Sequence, residues 1–94
     1  MTSSRIQLHG LTDVQQEFFD VWQKELPPVI ARESIGHLFG GLIKPSSLTS
    51  KQSRGEGPDE AYRIGRKIAY KRDSFLLWFI KNHDISKLTR VADL

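Results

Sequence analysis

The stretch that decides the fold is residues 54–79, RGEGPDEAYRIGRKIAYKRDSFLLWF. Gly57-Pro58 breaks the chain, and the residues after it alternate. Tyr62 and Ile64 precede Gly65, and Ile68 and Tyr70 follow it. A two-residue period on both sides of a glycine reads as a β-hairpin. If all four apolar side chains share one face, Ile64 stands opposite Ile68 and Tyr62 opposite Tyr70. That register requires a three-residue loop, Gly65-Arg66-Lys67, rather than a two-residue turn. Arg63 is then expected on the outward face, with Arg66 and Lys67 at the tip. Asp73 opens the helix DSFLLWFIKNH, with Asp73 and Ser74 as capping candidates. Phe75, Trp78 and Phe79 are its expected core residues, with Leu76 or Ile80 at the edges.

Working upstream, KPSSLTSKQSRG predicts a helix over 45–54, with Pro45 at a first helical position and Gly55 at the stop. VIARESIGHLFGG predicts a shorter helix before it. Its expected buried stripe is Ala31, Ile35, Leu38 and Phe39, and Gly40-Gly41 ends it. Two short helices around a glycine-bearing turn are a helix-turn-helix arrangement, here 30–54. Further back, LTDVQQEFFDVWQKEL places Val14, Phe18, Val21, Trp22 and Leu26 at three- and four-residue steps, the helix period. Thr12 and Gln15 have capping-box spacing, and Pro27-Pro28 stops the helix. Residues 1–10 read as a flexible tail. Beyond residue 83 a second tail, 84–94, places Ile85, Leu88 and Val91 at helical steps.

Ninety-four residues hold one hydrophobic core, here assigned to 11–83. The apolar fraction is 38% and the charged fraction 27%, an ordinary globular balance. No apolar run approaches the ~18 residues of a membrane span. The opening MTSSRIQLHG lacks the basic and apolar regions of a secretory signal. Cysteine is absent, which removes disulfides and thiolate metal sites and fits a reducing cytoplasm. His9, His37 and His83 are scattered, and neither a catalytic triad order, a P-loop nor a dinucleotide fingerprint is present. The expectation is a non-enzymatic chain without cofactor or metal.

Charge distribution points to the partner. Between Lys44 and Arg72 eight basic residues face three acidic ones, a net +5, whereas the remainder carries −2. A basic segment on a near-neutral body is the electrostatic footprint of a polyanion binder. With Leu48 turned inward, Ser46, Ser50 and Ser53 point directly away from the core, with Ser47, Thr49 and Arg54 beside them. Such a face is either a plain soluble surface or one that meets DNA. Arg63, Arg66, Lys67, Lys71 and Arg72 are expected to converge on the hairpin as phosphate contacts. Trp78 and Tyr70 lie on inward faces, which favours packing over base stacking.

The order of these elements resembles the small winged helix-turn-helix regulators of phages and mobile elements, the excisionase and AlpA-like group related to MerR. The matching residues are Leu48, Gly55, Gly57, Pro58, Gly65, Arg66, Lys67, Tyr70, Asp73, Phe75 and Trp78. The chain departs from that pattern at Ala31 and Lys44, where a polar N-cap is usual, and at Lys51, where an apolar residue is usual. The resemblance implies a mainly helical α+β winged helix with a hairpin wing (59–72), a closing helix (73–83) and an extra N-terminal helix. It implies that helix 45–54 enters the major groove of double-stranded DNA and that the hairpin straddles backbone or minor groove. The expected contacts are Lys44, Ser46, Ser47, Ser50, Lys51, Ser53, Arg54, Arg63, Arg66, Lys67 and Lys71. The expected role is transcriptional regulation or excisionase-like architectural binding on a bacterial nucleoid in the cytoplasm. An interaction module without DNA binding is the other reading. Phe19, Leu76, Leu77 and Ile80 leave two arrangements open: helix 12–26 covers the C-terminal helix, or these residues form a patch for a homodimer or another partner.

Overall fold

The computed structural model describes residues 10–88. The expected N-terminal tail up to His9, and Val91 in the C-terminal tail, lie outside the described residues. The elements in chain order are α1 (Asp13–Glu25), β1 (Val29–Ala31), α2 (Arg32–Leu38), α3 (Pro45–Ser53), β2 (Ala61–Ile64), β3 (Lys67–Lys71) and α4 (Arg72–Asn82). Together they make an α+β domain with a three-stranded antiparallel sheet of order β1-β3-β2.

Helix α1 begins at the capping box read from its sequence. The Gln15 amide donates to Thr12 Oγ1 at 3.2 Å, and the Thr12 amide donates to Gln15 Oε1 at 2.9 Å. Its buried side differs from the expected stripe: Gln16 and Phe19 are buried, Phe18 and Trp22 are half-buried, and Val21 is exposed. The helix has turned so that Phe18 stacks on Phe79 of α4, ring centroids 5.8 Å apart. Phe19, Leu76 and Ile80 are thereby buried and Leu77 is half-buried. Helix α1 thus packs against α4, the first of the two arrangements left open by the sequence, while Leu77 lines a groove with Asp59, Glu60 and Lys71.

The second helix is shorter than its sequence suggests. Val29–Ala31 is a strand, paired antiparallel to β3 with Ile30 opposite Tyr70, and α2 starts only at Arg32. Pro27-Pro28 and the β-branched pair Val29-Ile30 favour extended backbone, and β3 supplies the ladder partner. Ile35 and Phe39 are buried as expected, whereas Leu38 is 38% exposed. Phe39 stands at the centre of the core. Its ring meets those of Trp22 at 4.7 Å, Phe79 at 4.9 Å and Phe75 at 5.1 Å, all edge-on, a favoured geometry for aromatic pairs.

Helices α2 and α3 close in the same way. The Gly41 amide bonds the Gly36 carbonyl and that of Gly40 the His37 carbonyl; Glu56 bonds Lys51 and Gly55 bonds Gln52 likewise. Both are Schellman motifs, which place a residue with positive φ just past the helix. Gly40 (φ 65°) and Gly55 (φ 72°) fill those positions. Ala31 and Lys44 provide no side-chain cap, as their chemistry dictates.

The hairpin corrects the sequence reading most. Ile64 pairs with Lys67, Arg63 with Ile68, Tyr62 with Ala69 and Ala61 with Tyr70. The connection is therefore the two-residue turn Gly65-Arg66, not a three-residue loop. Gly65 has φ 63°, the sign a Gly-X hairpin turn requires at its first position. With this register Tyr62 and Ile64 leave the Tyr70 face and stand exposed, at 46% and 59%. Arg63 instead shares a face with Ile68 and Tyr70 while remaining exposed itself. Ile30, Tyr70 and Phe75 already fill the core beneath β3, so β2 extends beyond it.

Helix α4 starts one residue earlier than expected, at Arg72, with Lys71 as an N-cap that makes no side-chain capping bond. Asp73 accepts from Arg72 Nε at 2.9 Å, and Ser74 Oγ accepts the Glu60 amide at 3.2 Å, so neither caps the helix. Phe75, Leu76, Trp78, Phe79 and Ile80 are all buried. Trp78 Nε1 donates to the Glu56 carbonyl at 2.7 Å, tying α4 to the corner after α3. Residues 84–88 form no regular element. Ile85 packs against the core and Leu88 is exposed.

Candidate nucleic-acid interface

Helix α3 presents three different sides. Leu48 is fully buried and anchors it. Ser46, Ser50 and Ser53 are exposed on the opposite side, with Ser47, Thr49 and Arg54 also exposed. Two hydroxyls on this helix bond its own backbone: Thr49 Oγ1 donates to the Pro45 carbonyl at 3.2 Å and Ser53 Oγ to that of Ser50 at 2.8 Å. A hydroxyl that donates locally still has lone pairs with which to accept. The third side holds Lys44, Ser47 and Lys51, which line a groove of about 440 Å³ with Trp78, Asn82 and His83. Lys51 is half-buried there, the position expected for an amine reaching outward from the core edge.

The hairpin tip meets the start of α3. Arg66, Lys67 and Ile68 line a groove of about 220 Å³ together with Arg32, Glu33 and Pro45. Pro45 is the first residue of α3, so the tip and the helix N-terminus border one concavity. Lys67 Nζ reaches Glu33 Oε2 at 2.6 Å across it, with both side chains more than half exposed. Arg32 was not singled out by the sequence. Its Nε donates to Tyr70 Oη at 2.9 Å, which satisfies the hydroxyl of a buried tyrosine and fixes the guanidinium at the groove edge. Recognising β1 would have found it, because Arg32 follows that strand directly.

The five cations expected at the hairpin separate into two groups. Arg63, Arg66 and Lys67 are at the tip end. Lys71 lies four residues further along β3, about 13 Å at the rise of a strand, and pairs with Glu60 at 3.7 Å. Arg72 is directed to Asp73 and to the Leu26 carbonyl, so its guanidinium holds α4 against the end of α1. Arg54 pairs with Glu56 at 3.2 Å. Among the described residues, Lys44, Lys51, Arg63 and Arg66 form no ion pair. These four cations are available without breaking an existing contact.

No family model, curated protein or solved structure matches this chain. Among the described residues no helix is long and apolar enough to cross a membrane. No group of three or more His, Asp or Glu among them is placed to hold a metal ion. A further groove, about 500 Å³, is lined by Asp59, Glu60 and Asp73 as well as Lys71 and Lys81, a mixed-charge surface away from the hairpin tip. Among the described residues, the sequence-predicted contacts meet at two grooves: Arg66 and Lys67 beside Pro45 at the head of α3, and Lys44, Ser47 and Lys51 along its side.

Proposed function

We propose that the chain is a double-stranded DNA-binding protein of the winged helix-turn-helix kind. In this reading α2 and α3 are the helix-turn-helix, β2 and β3 are the wing, and α1 is an added helix that completes the core. Helix α3 lies in the major groove with Ser46, Ser50 and Ser53 toward base edges. Arg63, Arg66 and Lys67 meet phosphates. Lys44 and Lys51 flank the helix on its other side, within reach of the opposite backbone. The observation that carries the reading is the groove where Arg66 and Lys67 of the hairpin tip adjoin Pro45 at the head of α3. One ligand large enough to span both elements, and negatively charged, suits that juxtaposition.

Serine donates and accepts with little preference among bases, unlike arginine on guanine or asparagine on adenine. Sequence preference is therefore modest and phosphate contacts supply most of the affinity. That profile suits a transcriptional regulator or an excisionase-like architectural factor of a phage or mobile element. The rival reading, an interaction module docking through Phe19, Leu76, Leu77 and Ile80, has little surface to use, because Phe19, Leu76 and Ile80 are buried and Leu77 is half-buried.

Fluorescence anisotropy with a labelled random duplex of about 20 base pairs, at low and moderate salt, tests the proposal. Binding that weakens steeply with salt is expected. Absence of binding at low salt would overturn it.

A further inference from the structure

Strand β2 is an open edge of the sheet. It is laddered to β3, and among the described residues no other strand pairs with it. The direction of its backbone groups follows from one bond: the Glu60 carbonyl accepts the Lys71 amide of β3 at 3.1 Å. In an antiparallel ladder the amide and carbonyl of a residue point to the same side, and successive residues alternate. Glu60, Tyr62 and Ile64 therefore bond toward β3, and the amides and carbonyls of Ala61 and Arg63 point outward. Such a row is a ready template for another strand. All four residues of β2 are exposed, with Tyr62 and Ile64 on one face and Ala61 and Arg63 on the other.

Charge order along the segment selects the occupant. Asp59 and Glu60 stand at its entry, Arg63 within it and Arg66 in the turn that follows. An antiparallel second copy brings the acidic end of one edge against the basic end of the other. Asp59, Arg63 and Arg66 form no ion pair among the described residues, so none has to be released first. A two-fold axis at Arg63 sets like charges directly opposite, which is destabilising. An axis at Tyr62 instead sets Ala61 opposite Arg63 of the second copy and Tyr62 opposite Tyr62. Asp59 then lies diagonal to that Arg63, within reach of a long side chain. We propose that β2 pairs antiparallel with β2 of a second copy about an axis at Tyr62, the same patch serving on both chains. Ala61 and Arg63 exchange four backbone hydrogen bonds across the axis. Arg63 is also a proposed phosphate contact, so the paired and the DNA-bound forms are alternatives.

The test is sedimentation of the full chain over a concentration series up to its solubility limit, with circular dichroism on the same samples. No nucleic acid is present, so this inference and the DNA-binding reading can fail separately. Wild type is expected to shift from monomer to dimer as concentration rises. Ala61→Pro removes one outward amide per copy, two of the four bonds, at a position where an edge strand accepts proline. It should weaken dimerisation about thirtyfold, the usual net worth of two hydrogen bonds, with the fold kept. Arg63→Asp sets like charges together and should weaken it as well. Asp59→Arg/Arg63→Asp restores the attraction with the signs exchanged and should associate more tightly than Arg63→Asp alone. A monomer at every concentration overturns the proposal, as does a dimer that Ala61→Pro leaves unchanged. If Ala61→Pro loses the fold, the charge exchange decides: a double variant no tighter than Arg63→Asp overturns the pairing.

Discussion

Helix α4 and strand β2 are separated by one strand and differ completely in what they bury. Five of the eleven residues of α4 are buried, and none of the four in β2. Both are rich in large apolar side chains: Phe75, Leu76, Trp78, Phe79 and Ile80 in one, Tyr62 and Ile64 in the other. The difference follows from what lies on each side. Helix α4 is enclosed by α1, by the sheet and by Phe39, whereas β2 is an edge strand held through its ladder to β3 alone. Apolar character in this chain therefore has two roles, cohesion in α4 and an outward surface in β2. The first sets stability and the second is free to set binding.

Substitutions should respect that division. The largest effect is expected at Trp78, which is 8% exposed and bonded to the Glu56 carbonyl. Trp78→Ala should cost about 3–5 kcal/mol, a large share of the stability of a small domain. Urea denaturation measures it, and an unchanged midpoint would show that α4 does not close the core.

Gly55→Ala comes next. Its φ of 72° is strained for alanine, although nothing lies within 4 Å of an added Cβ. The expected cost is about 1 kcal/mol from backbone conformation alone. A larger loss in the same denaturation experiment would mean that the corner after α3 holds more of the fold than its contacts suggest.

The smallest effect is expected at the tip. Arg66 is exposed in the turn, and Arg66→Ala should leave stability within about 0.5 kcal/mol. A clear destabilisation would make the hairpin part of the cohesive region and erase the contrast with α4. Ser50→Ala should likewise preserve the fold but alter which duplexes are preferred. Selection from a random duplex pool, compared with wild type, reads that change.

Local signals were legible in the sequence. Thr12 and Gln15 announced their capping box, Gly40 and Gly55 their helix ends, and Leu48 its inward position on α3. What escaped depends on partners distant in sequence. Val29–Ala31 is only three residues long, and it is a strand because β3 lies some forty residues later in the chain. Continuing the α2 pattern backward through it also put Leu38 in the core. The hairpin register failed for a related reason. Assuming that every apolar residue seeks the core forced Tyr62 and Ile64 inward, whereas the Gly65-Arg66 turn directs them out. Of the candidate contacts, the serine face and the tip cations were readable from spacing. The separation of Lys71 and Arg72 from the tip was not, because their partners, Glu60, Asp73 and the Leu26 carbonyl, are set by the tertiary fold.

The claim that the hairpin tip grips the phosphate backbone is tested most directly by the salt dependence of Arg63→Ala/Arg66→Ala. Each phosphate contact contributes about 0.9 to the slope of log affinity against log salt. Measured on a preferred and on a random duplex, the double variant should lose affinity for both by a similar factor. Its slope should flatten by about two units on that account. Wild-type affinity and slope in the double variant would contradict a DNA-contacting hairpin.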